Sequence, residues 1–357
     1  MSRPRTPGLS TMWCDEDPVW NRAVDVLRAR DPHRTLPLPV WLWRFWRESR
    51  GRQAIVLRGT VTLRDGYRDL LGAVLLRRMC LLRKAFGDRP RIVVSDATIE
   101  PTSRALEARL GPFAAVLPWL ARLLVRAADG PDVRWCVLST PERQRFAQTW
   151  GVPASRVVVT PFRHTLWEAG AGALPSIGDP HDPVRVFAGG NSLRDYGLLL
   201  DAFTDLRGAR LLVATDRLAP RDDGRVVVAQ LTETRYRAEL ERCDVLVVPL
   251  ADSSRSAGQQ TYLNGMALGK VVVVADPLGA AHDCVDNGTT GVVVPADVEA
   301  LRAALTDVLA TDPGRRAHHL AMRRRARDAA LGFFSPEAYR RRLLDVAGLD
   351  VREPVRA

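Results

Sequence analysis

The chain has 357 residues, 46% of them hydrophobic, and a net charge of +11, a balance that suits a soluble globular protein with two domains, each burying its own core. No apolar run reaches ~18 residues, so no transmembrane helix is expected. The opening M-S-R-P-R-T-P-G has no apolar core, so no secretory signal is expected either.

Five scattered cysteines without C-x-x-C spacing read as buried thiols in a reducing cytoplasm and make a metal site unexpected. The charge is carried almost wholly by arginine, Lys84 and Lys270 being the only lysines. Such a balance suits phosphate-bearing ligands, an anionic membrane or nucleic acid, or reads simply as a solvated surface. Without aromatic interleaving or a known motif, nucleic acid is not an expected partner.

Residues 1–52 read as an N-terminal extension, with a helix over Pro18 to Arg30 and a Trp/Arg-dense stretch, P-V-W-L-W-R-F-W-R-E-S-R-G-R, from Pro39 to Arg52. No strand is expected before Ala54. A strand–helix alternation then fills residues 53–167. Its strands are Ala54–Leu57, Arg91–Ser95, Arg134–Leu138 and Arg156–Thr160, and its helices Tyr67–Phe86, Pro112–Ala128 and Pro141–Trp150. Short β-branched runs between helices indicate a parallel sheet built of βαβ units. A Gly/Pro/Ala-rich stretch at 168–183 reads as a linker. The alternation resumes over 184–335, and a last helix and tail occupy 336–357. The whole is expected to be α/β, two Rossmann-like doubly wound domains facing a cleft, with ligands at the carboxyl ends of the strands.

There is no G-x-G-x-x-G, no Walker lysine loop and no H-E-x-x-H, so hydride transfer, P-loop hydrolysis and zinc proteolysis lack support. The most informative stretch runs from Asp252 to Pro295. A Ser/Gly-rich loop, S-A-G-Q-Q-T, leads into a helix of small residues (Gly265, Ala267, Gly269) and then a buried strand, Val271 to Val274. Backbone N–H groups at such a helix start lack partners, and the helix dipole favours an anion there.

Three patches make the second half resemble the nucleotide-sugar domain of GT-B glycosyltransferases, of the retaining, family-4-like group. They are V-R-V-F-A-G-G-N-S-L-R-D-Y-G-L-L-L-D-A-F (Val184 to Phe203), L-E-R-C-D-V-L-V-V-P-L (Leu240 to Leu250) and the stretch from Asp252 to Pro295. The resemblance implies transfer of a sugar from a nucleotide-diphosphate sugar with retention of configuration, without metal and without a bound cofactor. It places Gly189, Gly190 and Arg194 at the diphosphate, with Ser256, Ala257, Gly258, Gln259, Gln260 and Thr261 offering further donors. The two glutamates that usually bracket this loop read Ser256 and Asn264 here, and Asn264 is expected at the ribose. Arg194 and, in the first half, the strand-end Asp96 (Glu100 nearby) are the catalytic candidates. A strand-end aspartate also serves as a helix cap.

His164 reads as structural. His282, His318 and His319 show no ligand pattern. The helix Tyr67–Phe86 and the Trp/Arg stretch suit either an anionic membrane surface or ordinary core packing. The resemblance implies an acceptor that is lipid-linked, a saccharide or a small molecule. The competing readings are a non-catalytic scaffold of the same fold and an Arg-rich nucleic-acid-binding protein.

Overall fold

The computed structural model describes residues 6–12, 18–27, 30–31, 34–59, 61–62, 67–82, 90–100, 111–166, 183–251, 255–310 and 312–349. The chain forms two compact units. The N-terminal unit comprises 1–138, 142–160 and 340–357, and the C-terminal unit 139–141 and 161–339.

The N-terminal unit is a parallel sheet of six strands. They are β1 (Gly8–Ser10), β2 (Val24–Val26), β3 (Ala54–Arg58), β4 (Arg91–Ser95), β5 (Val133–Val137) and β6 (Val157–Val159), in the spatial order β6-β5-β4-β3-β1-β2. The helices are α1 (Pro18–Ala23), α2 (Leu38–Ser49), α3 (Arg68–Leu82), α4 (Val116–Ala128) and α5 (Thr140–Trp150). The steps β2 to β3, β3 to β4 and β4 to β5 run the same way across the sheet. Right-handed crossovers therefore place α2, α3 and α4 on one face, and α3 packs against both of the others. Trp41, Phe45 and Trp135 are fully buried beneath them, Trp41 and Phe45 stacked at 5.0 Å. Each such ring removes ~150–250 Å² from water and dominates the core.

Residues 1–52 are thus no extension. β1 pairs with β2 on one side and β3 on the other, Gly8 standing opposite Val24 and Ala54. The helix expected over Pro18 to Arg30 stops at Ala23, and the chain passes directly into β2. β1 escapes a pattern reading because it is three residues long, G-L-S, and its Ser10 is polar yet wholly buried. Its hydroxyl donates to the Val56 carbonyl at 3.0 Å, which satisfies the group inside the sheet.

The C-terminal unit holds seven strands: β7 (Val184–Gly189), β8 (Ala209–Ala214), β9 (Arg221–Asp222), β10 (Val226–Ala229), β11 (Val245–Pro249), β12 (Val271–Ala275) and β13 (Val292–Val294). Their order is β9-β10-β8-β7-β11-β12-β13, all parallel except the short β9. The helices are α6 (Tyr196–Phe203), α7 (Glu233–Arg242), α8 (Gln259–Ala267), α9 (Val298–Val308), α10 (Pro313–Leu331) and α11 (Pro336–Ala347). β11 and β12 are apolar at nearly every position because both faces are covered. From β7 the chain moves outward first to β8 and later to β11. The strand order therefore reverses between β7 and β11, and that point is where open α/β sheets bind ligands.

The last expected segment, 336–357, is not a separate piece. α11 runs out of the C-terminal unit at Tyr339, and residues from Arg340 belong to the N-terminal unit. There Arg91 donates to the Val346 carbonyl at 3.3 Å, and Leu349 lies against Gly8.

Candidate functional site

The site is built where β7 and β11 diverge. After Gly189 the backbone turns through 190–195 and meets the end of β11 in a single bridge, Arg194 to Leu250. Asp195 caps α6, its carboxylate accepting from the Leu198 N–H at 3.0 Å. It is spent on the helix rather than on the neighbouring arginine, as short acidic side chains at such positions generally are.

Arg194 is therefore left with neutral partners. One terminal nitrogen donates to the Ser192 carbonyl at 2.6 Å and the other to the Thr261 hydroxyl at 3.0 Å. Its Nε is buried with no hydrogen-bond partner. Among the described residues no carboxylate is within ion-pair distance of it. Burial lowers its pKa, the Tyr196, Tyr236 and Tyr262 hydroxyls oppose that shift, and Arg255 adds to it. Those phenols are pushed the other way, Tyr196 to about 12, chiefly by burial. The guanidinium stays charged, because its ordinary pKa lies so far above neutrality.

The floor beneath it is aromatic. The Tyr236 ring packs edge-on to Phe187 at 5.1 Å and lies across Gly189, where a Cβ would stand only 2.4 Å from the ring. Gly189 is a glycine for that reason. The Tyr196 hydroxyl donates to the Gly190 carbonyl.

Facing the arginine is the start of α8. Its N-cap is Gly258, at φ +77° in the left-handed region, with no side-chain cap. A Cβ at Gly258 would meet Leu250 at 2.9 Å and Val248 at 3.0 Å and would stand 3.6 Å from the Arg194 guanidinium. A side-chain-free helix start thus sits directly beside a buried cation. Backbone N–H groups and dipole act in the same direction as the guanidinium, an arrangement that favours negative charge. Arg255 adds a second cation here, one nitrogen 3.2 Å from the Ser192 hydroxyl.

The remaining expected donor residues are placed differently. Gln259 accepts the Phe162 N–H at 2.8 Å. Asn264 accepts the Thr165 N–H at 2.7 Å and donates to the Thr165 hydroxyl at 3.0 Å, and Gln260 donates to that hydroxyl at 3.1 Å. These amides pin residues 161–166 to α8. Ser256 is 2% exposed, its hydroxyl bonded to that of Ser139, and Ala257 is half-buried beside it. Gly189, Gly190, Arg194, Gly258 and Thr261 therefore come together around one point, whereas Ser256, Gln259 and Asn264 brace the protein. Sequence reasoning missed Tyr196, Tyr236, Arg255 and Thr165. The Arg of S-S-R-S, next to an anion-binding loop, was the one available signal.

In the N-terminal unit Asp96 follows β4 at φ +43°. It caps no helix. Its carbonyl and carboxylate both accept from Thr98, at 2.6 and 3.1 Å, forming a tight turn at the strand end. Glu100 is in a two-residue strand whose side chain lies outside the described residues. His164 is buried, its backbone N–H bonded to the Phe334 carbonyl at 3.0 Å. No group of side chains fit to hold a metal ion occurs among the described residues.

Residues 182–311 match the family described as glycosyl transferases group 1. No curated protein matches the chain in sequence. Solved structures do resemble it in fold. Sucrose-phosphate synthase from Thermosynechococcus elongatus gives a TM-score of 0.56 at 17% identity, over 91% of this chain and 83% of that one. HepE of Anabaena in complex with UDP-glucose gives 0.56 at 13%, over 91% and 86%. WaaG, a glycosyltransferase involved in lipopolysaccharide biosynthesis, gives 0.53 at 13%, over 96% and 91%. Over residues 182–311 this chain is thus similar to the group 1 glycosyl transferases, and its two Rossmann-like units have the GT-B fold.

Proposed function

We propose that the protein transfers a glycosyl group from a nucleotide-diphosphate sugar to an acceptor hydroxyl, with retention of configuration and without metal. The observation that carries this reading is Arg194, a buried guanidinium without a carboxylate partner among the described residues, set against an uncapped helix start at the strand-order reversal. HepE, of like fold, is a structure in complex with UDP-glucose, which favours a nucleoside diphosphate as the anion.

Arg194, Arg255, the Thr261 hydroxyl and the N–H groups at Gly258–Gln260 hold the diphosphate. As the bond from the anomeric carbon to the β-phosphate oxygen breaks, negative charge grows on that oxygen. Donors fixed there beforehand stabilise the transition state more than the bound donor. The acceptor oxygen bonds to the anomeric carbon on the same face, and its proton passes to the departing phosphate. Asp96 is the acceptor-side candidate, since a non-glycine residue held at positive φ at a strand end is a recurring mark of functional positions. The acceptor is a lipid-linked, saccharide or small-molecule hydroxyl compound. The protein works in the cytoplasm as a peripheral protein at an anionic membrane surface.

A second reading, a non-catalytic scaffold, draws on the two positions that lack carboxylates. Ser256 is committed to Ser139, and Asn264 to Thr165. A panel of uridine, guanosine, adenosine and thymidine diphosphate sugars in a thermal-shift assay, followed by product analysis with chelator present, separates the two. A donor that stabilises the protein and yields a product of unchanged anomeric configuration supports transfer. Stabilisation without any turnover or donor hydrolysis supports the scaffold, and no stabilisation by any donor removes both.

A further inference from the structure

One outer face of the N-terminal unit exposes apolar side chains in a pattern. α4 presents Val116, Trp119, Leu120 and Leu123 to solvent, Trp119 at 60% exposure. Their i, i+3, i+4, i+7 spacing makes one stripe along the helix. The same helix buries Ala121, Val125 and Ala128 against the sheet, so it is apolar on two faces and only one of them is used by the fold. On the same side of the sheet α2 exposes Val40 and Trp43, Trp43 at 56%. Trp43, Trp46, Leu42 and Leu75 line an open groove of about 270 Å³. Clusters of this kind mark a surface that meets a partner.

Charge identifies the partner. On α2 the exposed Arg44 and Arg47, followed by the exposed Arg50, stand beside Trp43 and Trp46 with Glu48 the one acidic residue, and α4 has no acidic residue at all. The Arg47 guanidinium stands 4.9 Å from the Trp43 ring and that of Arg50 3.7 Å from Trp46. Indoles and cations are thus offered together, the combination that suits a headgroup layer, with the ring among the upper acyl chains and the cation at the phosphates. A second copy of the chain is a poor fit, because a two-fold interface would set these arginines against themselves. Of the two stretches the sequence offers for this role, α3 turns Leu70, Ala73 and Leu76 into the core, and the Trp/Arg stretch of α2 keeps Trp43 outside.

We propose that α2 and α4 dock this face on an anionic lipid bilayer, with Trp43 and Trp119 entering the headgroup region. This gives a location to the peripheral placement proposed above and does not depend on the transfer chemistry. The test is sedimentation of the full chain with vesicles of phosphatidylcholine alone or with added phosphatidylglycerol. Phosphatidylglycerol vesicles are expected to carry the protein down, and phosphatidylcholine vesicles to leave it in solution. Trp43→Ser combined with Trp119→Ser is expected to lower the partition coefficient by about tenfold or more, and Arg44→Glu to weaken binding in low salt. Thermal midpoint and nucleotide affinity, read on the same proteins, should not move, so failure here leaves the transferase reading standing. Absence of binding to phosphatidylglycerol vesicles overturns the proposal, as does equal binding by the double variant. A concentration-dependent dimer that Trp119→Ser abolishes would make the face a self-interface and overturn it too.

Discussion

Arg194 keeps a positive charge among three tyrosines and beside Arg255, an arrangement that costs free energy until an anion arrives. Arg194→Ala is accordingly expected to weaken nucleoside diphosphate binding by about 2 kcal/mol, roughly thirtyfold, in titration calorimetry, with Arg194→Lys retaining part of it because a point charge replaces the fork. Unchanged affinity for uridine, guanosine, adenosine and thymidine diphosphates would sink the assignment. Gly189→Val is expected to lower the thermal midpoint, since the new side chain would displace the Tyr236 ring. The arginine was legible in the sequence because it follows a strand and a glycine turn within a few residues. Tyr236 was not. It reaches Gly189 from α7, 47 positions along the chain, and nothing local in R-Y-R-A-E-L announces which residue its ring will cover. Asn264 was legible as a polar residue inside an apolar helix, but its partner Thr165 lies 99 positions away, and that pairing decides what the amide does.

At the level of elements, α8 has two tasks. Its N-cap Gly258 and its Thr261 hydroxyl face Arg194, while Gln259, Gln260 and Asn264 fasten residues 161–166. His164 lies in that fastened segment, and burial pushes its pKa below the ordinary 6.5, as it does for His319 on α10. A base whose folded pKa is depressed binds fewer protons folded than unfolded. Its stabilising contribution is full above pH 6.5 and is lost as pH falls from there through the lower folded value. The thermal midpoint is therefore expected to drop as pH falls below 6.5, and His164→Gln to flatten that slope. A slope unchanged by His164→Gln in a pH series of melting curves would assign it elsewhere. α2, α3 and α4 show where period alone misleads. α3 and α4 are both rich in leucine, and which of them keeps its apolar stripe outside depends on neighbours rather than on spacing. α3 packs against both α2 and α4.

For the whole molecule, the parallel alternation was readable wherever strands are β-branched runs of four or more residues, as in Val271–Ala275. It failed at the N-terminus, where β1 joins β2 to β3 with only three residues, one of them a buried serine. Deleting residues 1–52 is therefore expected to remove two strands and leave β3 an unpaired edge, so that the truncated chain aggregates or loses near-ultraviolet circular dichroism. A soluble, cooperatively melting truncation would contradict the sheet order. Residues 340–349 add a consequence for biosynthesis. They lie against Gly8 and Arg91, so the unit begun first on the ribosome is completed only by residues translated after the whole of the second. Its early strands must wait for that completion while residues 161–339 are made, and a premature stop near Phe334 would injure the N-terminal unit more than the one in which the stop falls.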